Sequence, residues 1–257
     1  MNNISKEEVE EEEFFDGVYG KLTGKWKLES DDWEKFARID NALDGYTHSI
    51  KVLGDISGLK VLDFGCGNGW LSVVLAKMGA NVSGFDISKE AVRVARAMSE
   101  FNGVGDITDF KVGSGYASGF PEQSFDLIIG QAILHHLGDK EMLAKELNRL
   151  LKPGGKAVFH ECFGNSLLLE RARLWVPVAT EGEPHWDEQL KYSDIDVLRD
   201  VFEVKCKEFG LFSRLDRVVN NRAIIRAINK FDCFLLANVK FLRRYARTIV
   251  VELYRKE

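Results

Sequence analysis

From Leu59 onward the apolar positions alternate between two periods. Segments 60–64, 81–86, 108–112 and 125–130 read as strands; the last is a continuous apolar run apart from Asp126, and a run of that kind suits a buried strand of a parallel sheet. Helical spacing separates them. A helix over 69–78 follows the first strand, and one over 88–101 follows the second, with Ser88 as N-cap and Ala91, Val94, Ala95 and Met98 on one face. Asp139 opens another helix, with Leu143, Leu147, Leu150 and Leu151 on one side, and Lys152-Pro153-Gly154-Gly155 stops it. A fifth strand is expected at 156–161, a helix from Ser193 or Asp194 through Leu198, a sixth strand at 202–212 and a seventh at 248–256. This alternation predicts an α/β, doubly wound sheet. Right-handed crossovers then gather the ends of strands one to four along one rim, where ligands bind in open sheets.

The ends of the chain break the pattern. Residues 1–58 look helical: Glu7 to Glu13 is a charge run, read as a solvated face or as a contact for a basic partner. Asp31 and Asp32 can cap a helix carrying Trp33, Phe36, Ile39, Leu43 and Tyr46 at helical spacing. Between the last two strands, about 214–246, Leu215, Val218, Val219, Ile225, Ile228 and Phe231 interleave with arginines.

Charge sharpens that last feature. The chain of 257 residues carries a net charge of −5, which gives no general drive toward nucleic acid. Yet from Lys205 to the end there are 13 Lys/Arg against 5 Asp/Glu. A basic amphipathic helix there suits an anionic membrane or a greasy acidic substrate, or it packs on the sheet with a solvated basic face. Cys66, Cys162, Cys206 and Cys233 are scattered without metal-ligand or disulfide spacing, so no metal is expected and a reduced, cytoplasmic setting fits. The acidic N-terminus is unlike a signal peptide, and no apolar stretch approaches the roughly 18 residues of a membrane span.

The chemistry concentrates in Val61-Leu62-Asp63-Phe64-Gly65-Cys66-Gly67-Asn68-Gly69-Trp70, a strand ending in an acid and turning through glycines into a helix. Asp86 closes the next strand, where a carboxylate can bind ribose hydroxyls. The spacing is G-x-G-x-G, with Trp70 at the third dinucleotide position, and no Lys-Ser/Thr pair follows; dinucleotide and P-loop readings both fail. The segment resembles motif I of the class I S-adenosylmethionine-dependent methyltransferases.

That resemblance implies a Rossmann-like seven-stranded sheet with an antiparallel terminal strand, and S-adenosylmethionine as cofactor. It implies an N-terminal helical lid over 1–58, with Tyr46 and His48 near substrate, and a methyltransferase domain over 59–257 with a helical insertion at about 214–246. Gly65, Cys66 and Gly67 would lie under the methionine part, with Asp63 near its amino group. Asp86, followed by Ile87, would hold the ribose. Ser114 stands where relatives carry an aspartate for the adenine amino group, assisted by Gly115. Gln131 and Ala132 would line the sulfonium side. Gly130-Gln131-Ala132-Ile133-Leu134-His135-His136-Leu137 resembles the segment that ends in Leu-His-His in many relatives, and His135 is the nearest match to a histidine base. Both histidines can equally satisfy local backbone. His160 and Glu161 form a second polar pair that could face substrate, and His185 sits in a loop that could close over it. The expected activity is methyl transfer to an O or N nucleophile of a small lipophilic or anionic molecule. The alternatives are a cofactor-binding scaffold or regulatory subunit, and an aminopropyl transferase of the same fold, for which no acidic polyamine site is visible.

Overall fold

The computed structural model describes residues 6–22, 44–164, 189–212 and 221–256. The elements in chain order are α1 (Lys6–Tyr19), α2 (Gly45–Leu53), β1 (Lys60–Phe64), α3 (Trp70–Lys77), β2 (Asn81–Asp86), α4 (Lys89–Phe101), β3 (Thr108–Val112) and β4 (Phe125–Gln131). There follow α5 (Lys140–Leu150), β5 (Leu151–Cys162), α6 (Tyr192–Leu198), β6 (Phe202–Phe209), α7 (Arg222–Asn238) and β7 (Thr248–Arg255).

One seven-stranded sheet has the order β3-β2-β1-β4-β5-β7-β6. β1 to β5 are parallel; β7 runs antiparallel to both β5 and β6, between which it is inserted. Each central strand buries both faces. Leu62, Phe64, Ile128 and Phe159 pack toward Leu143 and Leu147 of α5, while Val61, Leu127, Ile129 and Val158 pack toward Leu53 of α2 and Leu75 of α3. That two-sided burial is why β4 reads as a continuous apolar run apart from Asp126.

Local capping follows the sequence closely. The Ser88 hydroxyl accepts the Ala91 N–H at 3.0 Å, and an Asp139 carboxylate oxygen accepts the Met142 N–H at 2.9 Å. At α6 the expected caps are displaced: Lys191 occupies the N-cap, and Asp194 reaches back to accept its N–H at 2.8 Å. β5 begins at Leu151, earlier than expected, because Phe125 already pairs with Leu151 before the register shifts around Gly154. β6 ends at Phe209, short of 212, and its last residue pairs with Thr248. Tyr46 belongs to α2, which Asp44 caps by accepting the Thr47 N–H at 2.9 Å. Asp31, Asp32, Trp33, Phe36, Ile39, Leu43, His185 and residues 214–220 of the insertion lie outside the described residues.

Candidate active site

The C-terminal ends of β1, β2 and β4 and the face of α1 enclose a cavity of about 280 Å³. Its floor is the glycine turn. The Cys66 N–H donates to the Phe85 carbonyl at 2.8 Å, tying the turn to the end of β2. Gly67 has φ +50, and a Cβ there would stand 2.7 Å from the Tyr19 hydroxyl. Gly69 has φ +77, and a Cβ there would meet Ala95 at 2.7 Å, so glycine lets α3 start against α4.

Asp86 is the organising acid. One carboxylate oxygen accepts the Gly67 N–H at 2.9 Å and the other accepts the Ser88 N–H at 3.0 Å. Burial raises its pKa, against those backbone hydrogen bonds. Asp63 lies beneath the turn rather than on the cavity wall. It accepts the Ser72 hydroxyl at 2.5 Å, and burial, reinforced by Asp86, pushes its carboxyl up to about 7. Cys66 is buried among Val92, Ala95 and Phe110, so its side chain turns away into the helix layer.

Among the residues expected to bind cofactor, Gly65, Gly67, Asp86, Ile87, Gly115, Gln131 and Ala132 line the cavity, whereas Asp63, Cys66 and Ser114 do not. Ala132 is held at φ +50, a conformation that side chains other than glycine rarely adopt and that marks strain at a site. The Ser114 hydroxyl instead donates to Glu8, and it accepts the Tyr116 N–H at 3.1 Å.

α1 supplies the wall the sequence reading missed. Glu8, Glu11, Phe15 and Tyr19 line the cavity. Their spacing of three, four and four is the signal of one helix face, obscured by the surrounding glutamates. Asp16 fastens the helix: one oxygen accepts the Ser88 hydroxyl at 2.6 Å and the Glu90 N–H at 3.2 Å, while the Lys89 ammonium lies 3.1 Å from the other. Glu11 is buried, its carboxyl 3.4 Å from His136 Nδ1. Burial first, then Asp86 and Glu8, push its pKa up to about 7, with His135 opposing.

His136 lines two cavities and His135 only one of them. His136 lines the first, with its ring against Phe15. Both histidines line an adjoining cavity of about 420 Å³, together with Glu11, Lys140, Gln189 and Lys191. His135 Nδ1 lies 2.7 Å from one Glu161 oxygen, and the other Glu161 oxygen accepts the Ile133 and Leu134 N–H groups at 3.0 Å each. A carboxylate so held fixes the ring orientation and favours a proton on Nδ1, leaving Nε2 as the basic nitrogen.

His160 and Glu161 do not form a pair. Neighbours on a strand point to opposite faces. Glu161 turns to His135, whereas the His160 ring packs on Tyr46, its pKa lowered by burial. His48 packs against Phe209, and burial, then Lys207, bring it down to about 4. Among the described residues no group of three or more His, Cys, Asp or Glu is arranged to hold a metal ion.

A glycine floor that Cβ atoms would fill, a two-pronged acid at the end of β2, and a parallel sheet ending at that rim define a nucleoside-binding α/β protein. Residues 62–159 match the family described as methyltransferase domain. The chain is 30% identical over 158 residues to a ubiquinone biosynthesis O-methyltransferase of Photorhabdus laumondii subsp. laumondii, spanning 62% of each protein. To the enzyme of the same name from Pelagibacter ubique it is 26% identical, over 90% of this chain and 99% of that one. Geranyl diphosphate C-methyltransferase from Streptomyces coelicolor A3(2) shares the fold, with TM-score 0.63, 13% identity, and coverage of 98% of this chain and 99% of that one. Residues 62–159 thus carry the similarity to methyltransferase domains, and the chain has the fold of S-adenosylmethionine-dependent methyltransferases.

Proposed function

We propose that this chain transfers a methyl group to an oxygen or nitrogen nucleophile of a small lipophilic molecule, with the cofactor in the first cavity and the acceptor in the second. The single observation that carries the reading is that the two cavities meet at Glu11 and His136, with His135 backed by Glu161 on the acceptor side. When bound, the cofactor supplies an electrophilic methyl. Asp86 would hold the ribose hydroxyls, Gly65 and Gly67 admit the methionine part, and Gln131 and Ala132 flank the sulfur. Glu8, held by Ser114, offers the carboxylate that relatives place at the adenine amino group. His135 Nε2 takes the acceptor's hydroxyl proton as the new O–C bond forms, and Glu161 stabilises the resulting imidazolium. α1 acts as a lid that keeps water from the reacting groups. The named activity of the similar proteins favours oxygen as the acceptor atom.

The test is transfer of label from methyl-labelled cofactor to a panel of phenolic and amine lipids. His135→Asn should lower kcat by about 100-fold or more, the range of a lost general base, while calorimetry shows binding of the demethylated cofactor unchanged. Binding of that product without transfer to any panel member or metabolite extract would instead favour a scaffold.

A further inference from the structure

The outer face of α7 is apolar where a solvated helix would be polar. Ile224, Phe231 and Phe234 are 49%, 54% and 61% exposed, and Phe241, just beyond the helix, is 63% exposed. At 100° per residue, Ile224, Ala227, Phe231 and Phe234 form one stripe, while Arg226 and Lys230 run along its flank. Phe212 is also exposed and stacks on Phe231 at 6.5 Å, adding to the apolar face. The opposite side of the helix is anchored, with Leu236 and Asp232 buried and an Asp232 oxygen accepting the Phe212 N–H at 2.9 Å.

Charge selects what covers this face. Beside the apolar stripe lie exposed Arg226, Lys230, Lys240, Arg244 and Arg247. The acids among the described residues from 205 to 247 are Glu208 and Asp232, and both are buried. A second copy docked on the same face would oppose cation to cation. Phenylalanines flanked by arginine and lysine match an anionic bilayer, in which the rings enter the headgroup boundary and the cations meet the lipid phosphates. No helix among the described residues is long and apolar enough to cross a membrane, so the contact is peripheral.

Topology puts the face beside the rim. Thr248 pairs with Cys162 at the end of β5 and with Phe209 at the end of β6. The segment from 210 to 247 therefore leaves and re-enters the sheet at the edge where β1, β2 and β4 end at the cavity.

We propose that α7 and the turn at Lys240–Tyr245 form a docking surface for anionic lipid bilayers, with Phe231, Phe234 and Phe241 inserted and the flanking cations on the headgroups. The test is co-sedimentation of the full chain, without methyl donor, with vesicles of phosphatidylcholine alone or with about one third phosphatidylglycerol. Binding to the anionic vesicles should be at least about tenfold tighter and weaken as salt is raised. Joint substitution Phe231→Ser and Phe234→Ser should reduce it by about tenfold or more, with the unfolding midpoint unchanged because both rings are exposed; Arg226→Glu with Lys230→Glu should do the same. Three results would overturn the proposal: equal binding to neutral and anionic vesicles, binding that survives the Phe substitutions, or absence of vesicle binding with a dimer in light scattering that those substitutions dissociate. Because no turnover is read, failure here is distinct from failure of methyl transfer.

Discussion

At Glu11, burial and neighbouring charge act in the same direction. The carboxyl is raised from 4.5 to about 7, desolvation leading, with Asp86 and Glu8 adding and His135 opposing. A raised carboxyl binds its proton more tightly in the folded state than in the unfolded state, so stability falls as pH rises between those two values and levels off above. The cost is on the order of 3 kcal/mol at most. Glu11→Gln, which stays neutral, should match wild type in urea unfolding below the lower value and exceed it by up to that amount above the upper one. Parallel pH profiles would rule out the assignment. None of this was legible from Glu11 itself, one glutamate in a run of acids. The helix phase that puts it with Phe15 and Tyr19 was present in the spacing, but only docking on the rim separates the buried face from the solvated one.

Among the elements, α1 packs against α4. Asp16 links it to the start of α4 through Ser88, Lys89 and Glu90. Hydrogen bonds to a charged group contribute roughly 1.5–3 kcal/mol each before solvent screening. Asp16→Ala should raise hydrogen exchange over α1 by about tenfold or more, the effect of roughly 1.4 kcal/mol, while the protected amides of β1, β4 and β5 keep their rates. Equal loosening of the strands would mean that α1 is integral to the core rather than a lid. The strands and α3 to α5 were readable because caps and periodicity are local signals. The α6 cap was not, since Asp194 acts backward on Lys191 from inside the helix.

The whole molecule stands on the sheet's two buried faces. Ile128 in β4 is completely buried and packs in the core cluster that includes Leu143 and Leu147. Ile128→Ala should therefore cost about 2–5 kcal/mol in chemical unfolding, with one cooperative transition retained. A loss below 1 kcal/mol, about that of a surface change, would contradict the packing described. The parallel half of the sheet follows from the βα alternation and right-handed crossovers. The placement of β7 between β5 and β6 does not, because it joins residues of β5 and β7 some ninety positions apart.

The amino-acid order by itself determined the strands, the G-x-G-x-G turn and the acid at Asp86, because each depends on spacing within one supersecondary unit. It also showed that the C-terminal part is cationic. Tertiary structure alone decided which way each rim side chain turns. It put Glu161 behind His135 and His160 against Tyr46, seated Glu8 and Glu11 on the cavity wall, and left the phenylalanines of α7 facing out. Local spacing sets the phase of a residue within its element. Its partner is chosen when elements pack, and a single sequence carries no distance between elements.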